Sequence, residues 1–258
     1  MIINKYTIIN IINEGNYGKV YKVQHNNIFY ALKEELENNN ILLNEANIYK
    51  ELRFIKTIGK MKDYFIINDK SYLVLNLYDK NLLEIKNIYY NNSNYINFIN
   101  NIFKILINTI KNIHNNGYLH RDIKPSNICL DKNNQPNIID FGFSKKYIIN
   151  NNHIKEKKIS SIIGSYNFVS KNVYNLIEPS RRDDIESLIY VYIFMLILKD
   201  NEKYIINFKL TNNDYIKHIL YISNIEKNIV DNIINILNYI KELKFNTKPD
   251  YNYLINLI

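Results

Sequence analysis

Apolar and polar residues alternate from Tyr6 to Ile12, the chain turns through Glu14-Gly15-Asn16-Tyr17-Gly18, and alternation resumes at Lys19-Val20-Tyr21-Lys22-Val23. A period of two sends successive side chains to opposite faces, so this stretch predicts an antiparallel hairpin with a glycine-containing tip. Tyr30-Ala31-Leu32-Lys33 and Ser71-Tyr72-Leu73-Val74-Leu75 read as further strands, the second running into a connection at Asn76-Leu77-Tyr78. Between them Leu42, Ala46 and Tyr49 recur on one face of Ile41 to Tyr49, which predicts a helix with Glu45 midway. Helical periods dominate afterwards. Phe98 to Ile113 is an amphipathic helix stopped by His114-Asn115-Asn116-Gly117, and Ser187 to Leu198 is almost wholly apolar, as suits a buried helix at the centre of a larger lobe. That last run is far short of the ~20 residues a membrane span needs. The expectation is an α+β, bilobal chain forming one domain over 1–258: a small β-rich N-lobe over about 1–76, a hinge at 77–80 and a larger helical C-lobe over 81–258.

The composition changes this picture little. Its 258 residues suffice for one two-lobed unit. A net charge of +8 and a pI near 9.1 raise the question of a nucleic-acid or membrane surface. The chain is, however, saturated with Asn, Ile, Lys and Tyr and poor in Gly, Ala, Pro and Trp, the residue set of an AT-rich coding sequence. The basic excess is therefore read as drift toward Lys, with no nucleic-acid or membrane partner expected. The runs Asn38-Asn39-Asn40 and Asn150-Asn151-Asn152 read as solvated loops. A lone Cys129 excludes a disulfide framework and a Cys-based zinc site, and no secretory leader is expected at the start. Against the drift, residues it disfavours mark positions that are hard to replace. Only Arg53, Arg121, Arg181 and Arg182 are arginines, Ala31 lies beside Lys33, and Gly15, Gly18, Gly142 and Gly164 fall in or next to the segments with chemical character.

Those segments point to phosphoryl transfer from ATP. His120-Arg121-Asp122-Ile123-Lys124-Pro125-Ser126-Asn127 fits H-R-D-x-K-x-x-N, and Asp140-Phe141-Gly142 follows one strand later, matching the order found in protein kinases. Asp122 is placed to accept the proton of a substrate hydroxyl, and Lys124 to neutralise charge on the transferring phosphate. Asn127 and Asp140 offer hard oxygen ligands for Mg²⁺. The hairpin tip becomes a cover for ATP phosphates, with Ile12, Asn13, Gly15, Asn16, Tyr17, Gly18 and Val20 around the nucleotide. Asn13 stands where the first glycine of G-x-G-x-x-G would be, and is expected to be tolerated because Asn enters left-handed backbone conformations cheaply. Lys33 would contact the α- and β-phosphates, held by Glu45 on the next helix, with Glu51 as the alternative partner. Ala31, Leu75 and Leu77 are assigned to the adenine side, although a plain core role serves Leu75 equally well. With no third His or Cys nearby, His114 and His120 are read as packed residues and not as metal ligands.

These motifs, with Ile138-Ile139-Asp140-Phe141-Gly142, Lys145-Lys146-Tyr147, Gly164-Ser165, Ser180-Arg181-Arg182-Asp183-Asp184-Ile185-Glu186-Ser187-Leu188 and Lys248-Pro249-Asp250-Tyr251, make the chain from Glu45 onward resemble the casein kinase 1 family and its vaccinia-related kinase relatives. The S-R-R-D-D-x-E-S run is the most family-specific and looks closer to casein kinase 1 proper, since vaccinia-related members usually carry Gly where Asp183 stands. The resemblance implies a protein-kinase fold over essentially the whole chain and an Asp184 that anchors the catalytic loop. Ser170-Lys171-Asn172 matches only in part the family's Ser-Ile-Asn element. Asn167 replaces the arginine of Gly-Thr-Ala-Arg, Ile189 replaces a small residue, and the segment from Lys199 to Tyr221 lacks Leu-Pro-Trp and looks shortened.

The expected function is that of an ATP- and Mg²⁺-dependent serine/threonine protein kinase, active without phosphorylation of its own loop. Lys124, two residues after Asp122, argues against a tyrosine kinase. Its partners are expected to be protein substrates, with acidic sequences favoured, and the chain to be a cytoplasmic monomer, in a host cell if the source is a virus. The alternative from a different class is a pseudokinase, a module that binds nucleotide or a partner without efficient catalysis; a small-molecule phosphotransferase is disfavoured by Arg121 and the Ser180 to Glu186 run.

Overall fold

In the computed structural model the described residues are 1–15, 18–36, 39–90, 92–199 and 212–258. Six antiparallel strands form the N-terminal sheet in the order β1-β2-β3-β4-β6-β5, where β1 is Ile2–Ile3, β2 Tyr6–Gly15, β3 Gly18–His25, β4 Ile28–Glu35, β5 Met61–Ile67 and β6 Lys70–Asn76. Two of its hairpins turn on pairs of left-handed residues, Asn26-Asn27 with φ of 49° and 62° and Asn68-Asp69 with φ of 48° and 60°. Two successive positive φ values are what a type I′ hairpin demands, and Asn and Asp are the non-glycine residues that supply them most cheaply. The Asn-rich composition thus contributes turn geometry as well as solvated loops. At the β3–β4 edge Gly18 is required sterically: a Cβ there would lie 2.1 Å from the Glu34 carbonyl oxygen.

The sheet covers a small cluster of Tyr6, Tyr21, Val23, Leu32, Tyr72 and Val74 on one side. Its other side receives α1, Ile41–Glu51, whose buried residues include Leu42, Glu45, Ala46 and Tyr49. Asn40 offers α1 no side-chain cap, and the first turn has no acid. Glu35 serves instead: its carboxylate accepts from the backbone N–H groups of Ile41 at 2.9 Å and Leu42 at 3.4 Å. An anion on the first-turn N–H groups satisfies orphan donors and complements the helix dipole.

The second lobe begins with a two-residue strand, β7 (Lys80–Asn81), that pairs with β9 (Ile128–Leu130), itself paired with β10 (Pro136–Ile138). Helices α2 (Leu82–Tyr89) and α3 (Tyr95–Asn115) follow, and short strands β8 (Tyr118–Leu119), β11 (Lys145–Lys146), β12 (Ile148–Ile149) and β13 (Asn152–His153) frame the loops of interest. Behind them lie α4 (Lys171–Tyr174), α5 (Arg181–Leu196), α6 (Asn213–Ile222), α7 (Lys227–Glu242) and α8 (Tyr251–Leu257).

Helix α5 is buried without interruption from Leu188 to its end at Leu196, as an all-round apolar pattern requires. It starts at Arg181, six residues before the apolar run, because the Asp183 carboxylate accepts from the Ser180 backbone N–H at 2.7 Å and so closes its first turn. The segment Ser180 to Glu186 is therefore helical and carries the polar groups of the helix to the functional face. Among the described residues no helix is long and apolar enough to cross a membrane. Of the segment from Lys199 to Tyr221 that the sequence suggests is shortened, residues 200–211 lie outside the described residues, as do Asn16, Tyr17 and Asn38.

Candidate active site

Lys33 projects from β4 between two carboxylates. Its Nζ lies 2.8 and 3.0 Å from the two Glu45 oxygens and 2.8 Å from Asp140 Oδ1. Glu51, the alternative partner, instead faces Lys146 at 3.4 Å on the surface. Glu45 is buried and also accepts from the Phe141 backbone N–H at 3.2 Å. Burial raises its carboxyl against the opposing pull of Lys33. For Asp140 burial acts in the same sense, but the charge and hydrogen bond of Lys33 outweigh it and hold the group at about 2. Lys33 itself is raised, the two carboxylates overcoming the effect of burial. Asp140 has a left-handed backbone, φ 68°, which is uncommon for a residue other than glycine and aims its carboxylate into the cleft.

The second cluster centres on Asp122. Its Oδ1 accepts from the backbone N–H and the hydroxyl of Ser165 at 2.8 and 2.7 Å, and its Oδ2 from Asn127 Nδ2 at 3.0 Å and Lys124 Nζ at 2.9 Å. Asn127 Nδ2 also donates to the Asp122 carbonyl at 2.9 Å, which commits its nitrogen and leaves its amide oxygen as acceptor. Gly164 makes the approach of Ser165 possible: its φ is +96°, and a Cβ there would sit 2.4 Å from the Arg121 carbonyl oxygen.

The loop that carries Asp122 is fixed from below by Asp184 on α5, which accepts from the backbone N–H of His120 and of Arg121, both at 2.8 Å. The same carboxylate takes His114 Nε2 at 2.9 Å, while His114 Nδ1 lies 2.7 Å from the Tyr251 hydroxyl. Burial drives His114 below its usual range against the pull of Asp184, so the ring is a neutral relay that donates to Asp184 and accepts from Tyr251. His120 Nε2 lies 3.1 Å from the Ile139 carbonyl oxygen. Both histidines are thus packed hydrogen-bonding residues. Among the described residues no group of three or more His, Cys, Asp or Glu side chains is arranged to hold a metal ion.

A cavity of about 210 Å³ joins Lys33, Glu45 and Asp140 to the hairpin tip, with Asn13, Gly15, Gly18 and Val20 on its walls. Ile12, Ala31, Leu75 and Leu77 do not line it. Ala31 and Leu75 are cross-strand partners of β4 and β6, Leu75 is buried in the main core, and Ile12 is about half exposed. The expected left-handed conformation of Asn13 is also not found. Asn13 is a paired strand residue opposite Val20, next to a register shift after Ile11, and ladder pairing requires extended backbone.

Several contributors lay beyond sequence reasoning. Tyr49 was legible as a face residue of α1, but its hydroxyl accepts from the Asp140 backbone N–H at 3.0 Å and its ring meets Phe141 edge-on. Glu35 and Tyr251 carried no periodic signal for their roles, because their partners are 6 and 137 positions away.

A curled antiparallel sheet over a helical lobe, with a lysine, two carboxylates and an Asp-Lys-Asn loop converging on the cleft, defines a protein kinase, and the protein kinase domain pattern matches residues 6–200. A probable casein kinase I homologue of Encephalitozoon cuniculi (strain GB-M1) is 32% identical over 269 residues, covering 98% of this chain and 83% of that protein. The chain belongs to the casein kinase I family of ATP-dependent serine/threonine protein kinases. Nothing found favours the pseudokinase alternative.

Proposed function

We propose that Asp122 is the base of the reaction. The observation that carries this reading is the fourfold fixation of its carboxylate by Ser165, Asn127 and Lys124 beside the cleft that holds Lys33 and Asp140. Asp122 accepts the proton of a serine or threonine hydroxyl as its oxygen attacks the γ-phosphorus of ATP. The bond from that phosphorus to the bridging oxygen breaks, and ADP leaves. Lys124 neutralises charge on the transferring group, and Lys33, aligned by Glu45, contacts the α- and β-phosphates.

Family membership implies Mg²⁺ in general, and the donor set supports it here. The low-lying Asp140 carboxylate and the Asn127 amide oxygen are hard ligands, and Mg²⁺ takes few protein ligands besides phosphates and water. When bound, the ion neutralises phosphate charge.

Substrate choice is proposed to favour acidic sequences, supported by Lys155, Lys157 and Lys158 in the activation segment. An intracellular setting is proposed as well; Cys129 is a buried free thiol that burial pushes up to about 12 and so renders inert. Labelled ATP with casein as acceptor tests the assignment. Asp122→Ala is expected to lower transfer by on the order of 10²–10⁴ while leaving ATP binding intact. Wild-type rates in that variant would overturn the role of Asp122.

A further inference from the structure

Glu178 lies in the loop ahead of α5, with a side chain only 3% exposed, and does not line the cavity at Lys33. Burying a carboxylate is costly unless cations and hydrogen bonds compensate. Three cations face it. Lys145 Nζ is 2.7 Å from Oε1, Arg121 Nη1 3.8 Å from the same oxygen, and Lys157 Nζ 3.9 Å from Oε2. Each comes from a different segment. Arg121 immediately precedes Asp122, Lys145 pairs across from Leu119 one residue before His120, and Lys157 belongs to the activation segment.

The backbone repeats this convergence. Glu178 N–H donates to the Lys157 carbonyl and Ile159 N–H to the Leu176 carbonyl, both at 2.9 Å, and Lys158 bridges Ile177. Arg121 has little freedom to look elsewhere. Its φ is 69°, its Nε donates to the Phe143 carbonyl at 2.6 Å, and its backbone N–H is held by Asp184. A phosphoryl group on a loop hydroxyl orders a segment by drawing such cations onto its oxygens. Here a carboxylate already does so, and the loop hydroxyls nearest in sequence, Ser160 and Ser161, are exposed.

We infer that Glu178 is a positioning residue for phosphotransfer: a built-in anion that gathers Arg121, Lys145 and Lys157 and so holds the catalytic loop against the activation segment without phosphorylation. The inference rests on the assignment of Asp122, since Glu178 acts on the reaction only by fixing the loop that presents it.

The test compares dephosphorylated wild-type enzyme with Glu178→Gln, Lys145→Met and the double variant, reading kcat on a serine peptide, KM for ATP and melting temperature. Glu178→Gln is expected to lower kcat about a hundredfold, the scale at which small misplacement of reacting groups is felt, with KM for ATP unchanged. Adding Lys145→Met to Glu178→Gln should cost little more, because both changes break one contact. If Glu178→Gln melts below the assay temperature, Glu178→Ala is assayed with acetate against chloride at equal ionic strength. Acetate should restore activity by refilling the anion position, and a rate no better in acetate than in chloride overturns the inference.

Wild-type kcat in Glu178→Gln, or losses that multiply in the double variant, also overturns it while leaving Asp122 untouched. Dephosphorylated wild type without activity would overturn both the inference and the expectation of activity without loop phosphorylation. A wild-type rate in Asp122→Ala would remove the underlying assignment instead.

Discussion

The Tyr49 hydroxyl accepts a hydrogen bond from the Asp140 backbone N–H at 3.0 Å, so the helix that carries Glu45 also holds the chain where it presents Asp140. Tyr49→Phe would keep the edge-on packing against Phe141, with ring centres 5.0 Å apart, and remove only the acceptor. Leaving an inward N–H unpaired costs about 1–3 kcal/mol. Part of that cost should fall on the alignment of Asp140, and the expected outcome is a KM for ATP·Mg²⁺ raised roughly tenfold, about 1.4 kcal/mol, with a smaller change in kcat. Steady-state kinetics at varied ATP checks it, and an unchanged KM would show that Asp140 is held without the hydroxyl.

The two hairpin glycines should respond differently to substitution. A Cβ at Gly18 would meet the Glu34 carbonyl oxygen at 2.1 Å, whereas one at Gly15 meets nothing within 4 Å. Gly18→Ala must therefore spread β3 from β4, and a loss of about 1–3 kcal/mol is the usual scale of such overpacking. Gly15→Ala should leave the melting temperature unchanged, and if the tip covers ATP phosphates it should raise KM for ATP. Thermal melts of both variants, with Gly15→Ala kinetics, separate a glycine required by the fold from one available to the ligand.

This contrast illustrates what was legible in the sequence. Short-range patterns carried the elements whose signal is local: the hairpin from its alternation, α1 and α3 from their apolar faces, and the order of Lys33, Glu45, Asp122, Asn127 and Asp140 from motif spacing. Periodicity alone begins the central helix at Ser187, because the capping acid of α5, Asp183, belongs to a polar run that hides the helical period; only the family resemblance put Asp184 on that helix. The surroundings of the site were less legible. Asp184 was expected to anchor the catalytic loop, but the Tyr251 hydroxyl that reaches it through His114 comes from the last helix, and no spacing rule joins residues 137 positions apart. At Asn13 the residue type was likewise an incomplete guide. Asn enters left-handed backbone cheaply, but the ladder to Val20 keeps this one extended.

Glu186 offers a pH signature independent of catalysis. Burial raises its carboxyl from 4.5 to about 7, although the Tyr190 hydroxyl at 2.6 Å and the Lys171 N–H at 3.0 Å both favour the ionised form. Between those two values the folded chain keeps a proton that the unfolded chain has released, so stability falls as pH rises through the window and levels off above about 7. The full effect is about 3 kcal/mol. Glu186→Gln should match wild type near the lower end of the window and exceed it above the upper end. Chemical denaturation across that range would expose a flaw in the assignment if both proteins showed the same slope.

Substrate preference is the reading in which the structure alters the quantitative expectation most. Of the three lysines that follow Ile154, Lys157 lies 3.9 Å from Glu178 and Lys158 donates to the Asn175 carbonyl at 3.3 Å, so both have internal partners. Asn167 stands where the family has an arginine, removing a bidentate donor that a lysine cannot imitate. The remaining attraction for an acidic peptide is a diffuse field, and such a field is screened over about 10 Å at 0.1 M salt. An acidic preference should therefore be modest and shrink as salt rises, and Lys155→Ala should reduce it more than Lys158→Ala, whose charge is drawn toward the loop at Asn175. Peptide arrays at low and high salt measure this directly. A preference for basic peptides, or an acidic preference that ignores both salt and these substitutions, would mean that recognition lies elsewhere on the C-lobe.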